Sequence, residues 1–180
     1  MKETYAVDIC GRNEELPVLK LGENGPKIAF FNLHGNVQLT EHCGKAIAER
    51  IADKADVLLT AESKGLQLTH CVARNLGHTF YAVARKSKKL YTVDGISVSV
   101  KSITTATEQT FYLSAHDTEL LKGKRVAVVD DVISTGGSIA ALCELVSKAG
   151  GTVTVKATVL AEGDAKDRND IIYLAHIPIM

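Results

Sequence analysis

The sequence predicts an α/β fold: a mostly parallel, twisted sheet flanked by helices, preceded by a small N-terminal β-rich cap. Three observations predict it. Apolar, largely β-branched runs such as Val57-Leu58-Leu59, Val126-Ala127-Val128-Val129 and Thr152–Leu160 read as strands buried on both faces. Helical apolar spacings follow such runs in alternation, the pattern of strand–helix–strand units. Before residue 37 the pattern differs, with short runs broken by Gly, Asn and Pro, which are hairpin signals. At 180 residues the chain suits one domain with a sizeable core. The expected division within 1–180 is a cap over 1–36 and an α/β core over 37–180, with a β-ribbon near 90–113.

In the cap, Tyr5–Cys10, Leu16–Leu21 and Ile28–Phe31 are the expected strands, and Pro17 suggests an edge position. Thr40 is the expected N-cap of a helix whose buried face is Cys43, Ala46, Ile47 and Ile51. Asp56–Thr60 reads as the first parallel strand. A helix from Leu66 to Leu76 follows it, with Gly77 as its C-terminal stop. His78–Ala84 reads as the next strand and ends at Arg85-Lys86-Ser87-Lys88-Lys89. Alternation through Ile96, Val98 and Val100, then Thr110 and Tyr112, suggests the two arms of the ribbon, with a mobile polar tip. Val126–Val129 is the next strand. The helix after it presents Ile139, Leu142, Cys143 and Val146 and closes at Gly150-Gly151. Thr152–Leu160 and Ile171–Leu174 complete the sheet.

The chemistry concentrates in residues 126–138. The strand ends on Asp130 and Asp131, then runs through Ile133 into the small-residue loop Ser134-Thr135-Gly136-Gly137-Ser138 at a helix N-terminus. Such a loop makes an anion site, because free N–H groups and the positive helix end point at one spot. The acids would repel a phosphate but could accept hydrogen bonds from a vicinal diol or contact a metal. A phosphate beside a diol-reading acid pair outlines a ribose 5-phosphate. Glu62-Ser63-Lys64-Gly65 is a second Gly-bearing turn between strand and helix, able to take another anion. Arg85 and Lys86 follow a strand end, on the side where parallel sheets bind ligands.

This run resembles the signature of type I phosphoribosyltransferases, which use phosphoribosyl pyrophosphate (PRPP). The spacing is most similar to that of adenine phosphoribosyltransferases: specific over 124–138, moderate over 56–90, weak in the cap and over 95–115. The resemblance implies transfer of the phosphoribosyl group to a purine base, adenine first, with hypoxanthine, guanine and xanthine open. It places the 5-phosphate on Ile133, Ser134, Thr135, Gly136, Gly137 and Ser138. It places the pyrophosphate on Glu62, Ser63, Lys64, Gly65 and Arg85, in a loop that in this family often carries a cis peptide. Asp130, Asp131, Lys86 and the ribbon acid Glu108 are the implied catalytic residues. Mg²⁺ would come with PRPP rather than sit in a protein cage. A homodimer is implied, in which Arg85 and Lys86 could serve a partner's PRPP. One departure is Glu62-Ser63-Lys64, where many adenine enzymes have an Asp and an Arg. Lysine binds phosphate without bidentate geometry.

Other readings are open at this point. A receiver domain would need a phosphoacceptor Asp and a Lys at later strand ends, and none follows Asp131. A P-loop lacks its Lys-Ser/Thr, since Gly44-Lys45 leads to Ala46. A PRPP-binding regulator without turnover would keep the fold and want a basic nucleic-acid surface. A generic nucleotide-binding domain would bind PRPP no better than AMP. Net charge is zero, with 21 basic and 21 acidic residues, which argues against nucleic-acid or membrane partners. Trp is absent, and neither a signal-peptide pattern nor a membrane-length apolar run is seen. Cys10, Cys43, Cys71 and Cys143 form no C-x-x-C pair, and the last three read as buried hydrophobes. A reducing, cytoplasmic setting is expected.

Overall fold

The computed structural model describes every residue except 1, 2, 24, 89–93 and 102–107, and Lys101 and Glu108 as backbone only. Three strands open the chain: β1 (Thr4–Ile9), β2 (Arg12–Lys20) and β3 (Lys27–Ala29), paired antiparallel in the order β1-β2-β3. The core alternates as read: α1 (Val37–Ile51), β4 (Val57–Ala61), α2 (Gly65–Leu76) and β5 (Ala82–Ala84). Next come the ribbon strands β6 (Ile96–Lys101) and β7 (Glu108–Leu113), then α3 (Ala115–Leu121). β8 (Arg125–Ile133), α4 (Gly137–Lys148), β9 (Thr152–Glu162), a 3₁₀ turn (Gly163–Asp167) and β10 (Ile172–Ile177) follow.

The central sheet is parallel throughout, in the order β10-β9-β8-β4-β5. β8 is the middle strand, and its period-two alternation feeds two separate cores. Ala127 and Val129 join Leu58, Leu68, Ile47 and the cap residue Phe31 on one face. Val126 and Val128 join Leu142, Leu145, Phe111 and Leu121 on the other. All carboxyl strand ends therefore open on one edge, where the loops after β4 and β8 meet.

Several boundaries differ from the sequence reading. α1 starts earlier than Thr40, because the Asn36 side chain accepts from Leu39 N at 3.1 Å and caps it. The Thr40 hydroxyl instead turns inward, donating to the Asn36 carbonyl at 2.7 Å. Asn36→Ala should cost about 1 kcal/mol, lowering Tm by about 2–4 °C in thermal unfolding. β5 is three residues rather than seven. His78 N still bonds the Ala73 carbonyl in the turn that closes α2, so the chain joins the sheet late. β8 continues through both acids to Ile133, and β10 starts at Ile172 and runs on to Ile177. Pro17 lies in the middle strand of the cap, not at its edge. Its carbonyl accepts from Phe30 N at 2.9 Å, and its missing N–H falls just beyond the last rung of the β3 ladder, Val18 opposite Ala29. Cys43 and Cys71 are buried, whereas Cys143 is half-buried. Helix α3 has no counterpart in the reading. Its Ser114 cap accepts from Asp117 N at 3.1 Å, a capping signal carried by only seven helical residues.

Candidate active site

Two helices outside the crevice, α1 and α3, are capped by the side chains of Asn36 and Ser114. The two that point into it, α2 and α4, have no side-chain cap. No side chain takes their first-turn N–H groups, although Leu66 N bonds the Ser63 carbonyl at 3.3 Å, and the helix dipoles favour an anion there. At α4 the N-cap is Gly136 with φ +84°, a conformation that L side chains rarely adopt. Asp130, Val132–Ser138 and Ile139 line a pocket of about 130 Å³ at this turn. At α2 the peptide Glu62–Ser63 is cis, and Gly65 is the first helical residue. A β-carbon on Gly65 would collide with Thr60 Oγ1 and lie 3.6 Å from Asp130 Oδ1. The second anion turn therefore abuts the acid pair.

The acids sit where β8 enters its loop. Asp131 is buried, and its Oδ2 has no hydrogen-bond partner. The nearest cation, Lys64 Nζ, is 3.9 Å away. Asp130 Oδ1 accepts from Asp131 N at 3.0 Å. Burial first, then the neighbouring Asp131 charge, push the Asp130 carboxyl above the usual carboxylate range, and Lys86 pulls it partly back. The site thus holds hydroxyl acceptors at its floor and cations on its β4–β5 side.

Glu62 holds that side together. Its carboxylate accepts from Arg85 Nη1 at 3.1 Å and from Lys86 N at 3.2 Å. Arg85 also pairs with Tyr112 through both backbone groups, at 2.8 Å each, so the end of β5 is tied to the ribbon. Glu108 opens β7 opposite Lys101; its side chain and the tip at 102–107 lie outside the described residues. The structure thus brings together Asp130, Asp131, Glu62–Gly65, Arg85 and Lys86, with Ile133–Ser138 beside them.

Two neighbours escaped the sequence reading. Phe30, just after β3, places its ring 5.0 Å from Lys64 Nζ, so the cap reaches the acid pair through one aromatic and one cation. Phe30-Phe31 is an alternating pair, with Phe31 buried in the core and Phe30 half-exposed toward the crevice. That alternation was the available signal. The second neighbour is Arg168, whose guanidinium packs on Gly136: a β-carbon there would collide with Nη1. Nothing near Arg168 in sequence marks this.

Comparison with known proteins gives the same picture. Residues 32–176 match the phosphoribosyl transferase domain. The xanthine phosphoribosyltransferase of Bifidobacterium adolescentis is 30% identical over 126 residues, covering 69% of this chain and 65% of the relative. The adenine phosphoribosyltransferase of Desulfosudis oleivorans is 34% identical over 118 residues, covering 66% and 65%. The matches thus span a little under two thirds of the length of these two relatives. The crystal structure of adenine phosphoribosyltransferase from Thermoanaerobacter pseudethanolicus superposes with a TM-score of 0.73 at 22% identity, covering 89% of this chain and 95% of that one. A matched domain that takes in both uncapped helix ends and the acid pair leaves one conclusion: this chain belongs to the phosphoribosyl transferase family.

Proposed function

We propose that this protein transfers the phosphoribosyl group of PRPP to a purine base, with adenine the first choice, releasing pyrophosphate. The observation that carries the reading is the pair of uncapped helix N-termini flanking the acids of β8. PRPP has this layout of charge: a phosphate at one end, a diol in the middle and a pyrophosphate at the other. The 5-phosphate is assigned to Ile133–Ser138, the diol to Asp130 and Asp131, and the pyrophosphate to Ser63, Lys64 and Gly65. Arg85 and Lys86 add charge there, with Glu62 orienting them.

The sugar–oxygen bond to pyrophosphate breaks with its electron pair staying on the leaving group. The lone pair of a ring nitrogen closes the new bond at the anomeric carbon, and the ring N–H proton is lost to a carboxylate, for which the ribbon offers Glu108. The residues accelerate this chiefly by alignment and by stabilising charge on the departing oxygens. The donor set suits Mg²⁺: Asp131 Oδ2 is a buried, unpartnered oxygen. When bound with PRPP, Mg²⁺ would neutralise part of the pyrophosphate charge. Phe30 is assigned to the face of the base, placing the cap (1–36) over it. A homodimer and a cytoplasmic setting complete the proposal; no described helix is long and apolar enough to cross a membrane.

The xanthine phosphoribosyltransferase among the relatives keeps the choice of purine a matter for assay. Pyrophosphate release is to be measured from PRPP and Mg²⁺ with adenine, hypoxanthine, guanine, xanthine, uracil and orotate separately. Release with adenine is the expected result. Release with another base would move the substrate, and silence in every assay while PRPP binds would favour a regulator without turnover.

A further inference from the structure

We propose that Arg168 is a phosphate-binding residue, a cation that packs on Gly136 of the Ser134–Ser138 loop from the turn after β9. The inference rests on the phosphoribosyl reading above. The loop itself contributes hydroxyls and N–H groups from Ser134, Thr135, Gly136, Gly137 and Ser138, but no cation. Among the described residues, Arg168 brings one to it. Its guanidinium lies against Gly136 so closely that a β-carbon would meet Nη1 and sit 3.5 Å from Cζ. The same β-carbon would lie 3.7 Å from Ile139 Cγ2, and Ile139 lines the pocket at this turn.

The orientation of the guanidinium is fixed. Nε and Nη2 donate to the two carboxylate oxygens of Asp170, each at 2.9 Å, a fork-to-fork pair. Asp170 also takes Lys156 Nζ at 2.7 Å. One carboxylate therefore meets two cations, and the cluster keeps a surplus positive charge. Engagement through Nε and Nη2 leaves Nη1 as the nitrogen turned to the loop. The side chain is less than one third exposed, which limits screening of that charge. Gly136 is thus required twice, by its positive φ and by the guanidinium packed on it. The chemistry recognised is a phosphomonoester, whose charge the N–H groups of one helix end match only in part.

The test is calorimetric binding of ribose 5-phosphate and, separately, of pyrophosphate to the full chain and to Arg168→Gln and Arg168→Lys. Arg168→Gln should weaken ribose 5-phosphate by about tenfold to a hundredfold and leave pyrophosphate unchanged. Arg168→Lys should recover part of the loss, since the charge remains and the fork is gone. A merely structural role would move both ligands together in Arg168→Gln, and that result would overturn the assignment. Unchanged ribose 5-phosphate affinity in Arg168→Gln would overturn it too, while leaving the function standing. Failure of the unmutated protein to bind ribose 5-phosphate at all would remove the function and this inference with it.

Discussion

Turnover falls about a thousandfold or more when both acids of β8 are replaced, Asp130→Asn with Asp131→Asn, and the protein stays folded. The asparagines can still accept hydrogen bonds through their amide oxygens, but they cannot hold the charge that a developing positive sugar ring needs. The ligand-free variant should also be more stable at neutral pH. The sign follows from linkage. Burial and the neighbouring charge raise the Asp130 carboxyl above its unfolded value. The folded state then holds a proton that the unfolded chain has already released. Stability falls as pH rises from the ordinary carboxylate range through the raised value. Asp130→Asn removes that loss, so its advantage appears near pH 7 and fades toward about pH 4. A gain of about 1 kcal/mol or more, about 2–4 °C in Tm, is expected. The same shift predicts that kcat/KM for PRPP declines on the acid side at a pH above the ordinary carboxylate range. Thermal unfolding across pH and an activity–pH profile check both signs. Near-normal turnover in the folded double variant would remove the acids from the mechanism.

Lys64→Ala carries the second-largest expected effect. Lys64 stands at the uncapped start of α2, with Asp131 at 3.9 Å on one side and the Phe30 ring at 5.0 Å on the other. Its ammonium is the cation nearest to where pyrophosphate would meet the acids. PRPP affinity should fall about tenfold or more, with pyrophosphate falling alike. The nucleoside monophosphate has no pyrophosphate and should lose far less. Its loss would come only through Asp131, whose neighbour is gone. Binding of all three ligands to the same variant decides the matter: equal losses for PRPP and nucleotide would contradict the pyrophosphate assignment.

Legibility in the sequence tracked how locally each feature is encoded. The stretch from Val126 to Ser138 states strand, acids, loop and helix start in consecutive residues, and the structure reproduces that order. The turn at Glu62–Gly65 was legible for the same reason, and its cis peptide fell where the family resemblance put it. Other features were less legible. A cap at Thr40 rests on the acid that follows it, but Asn36 is at least as good a cap by type and takes Leu39 N three residues on, a local signal that the choice of Thr40 leaves unused. Seven residues of His78–Ala84 carry strand propensity. The closing turn of α2 retains His78, however, and only Ala82–Ala84 reach the sheet. Arg168 lies 32 residues beyond Gly136, and its position depends on how the chain returns from the 3₁₀ turn to β10. No periodicity encodes such a contact.

The central place of β8 has a consequence for how the molecule opens. A strand with parallel neighbours on both sides, and a separate core on each face, exchanges its amide protons only when the whole sheet comes apart. The acids and the entry to the Ser134–Ser138 loop belong to that strand. The cap hangs on a three-stranded antiparallel sheet of its own, and Phe30 follows its shortest strand. The proposed sugar-phosphate end of the crevice is thus built on the most enclosed strand of the protein, and the proposed base end on a smaller sheet that packs on one of the same cores. Under the proposed assignments, substitution around Phe30 is expected to change which base supports pyrophosphate release while PRPP affinity, assigned to β8 and its loop, stays as it is.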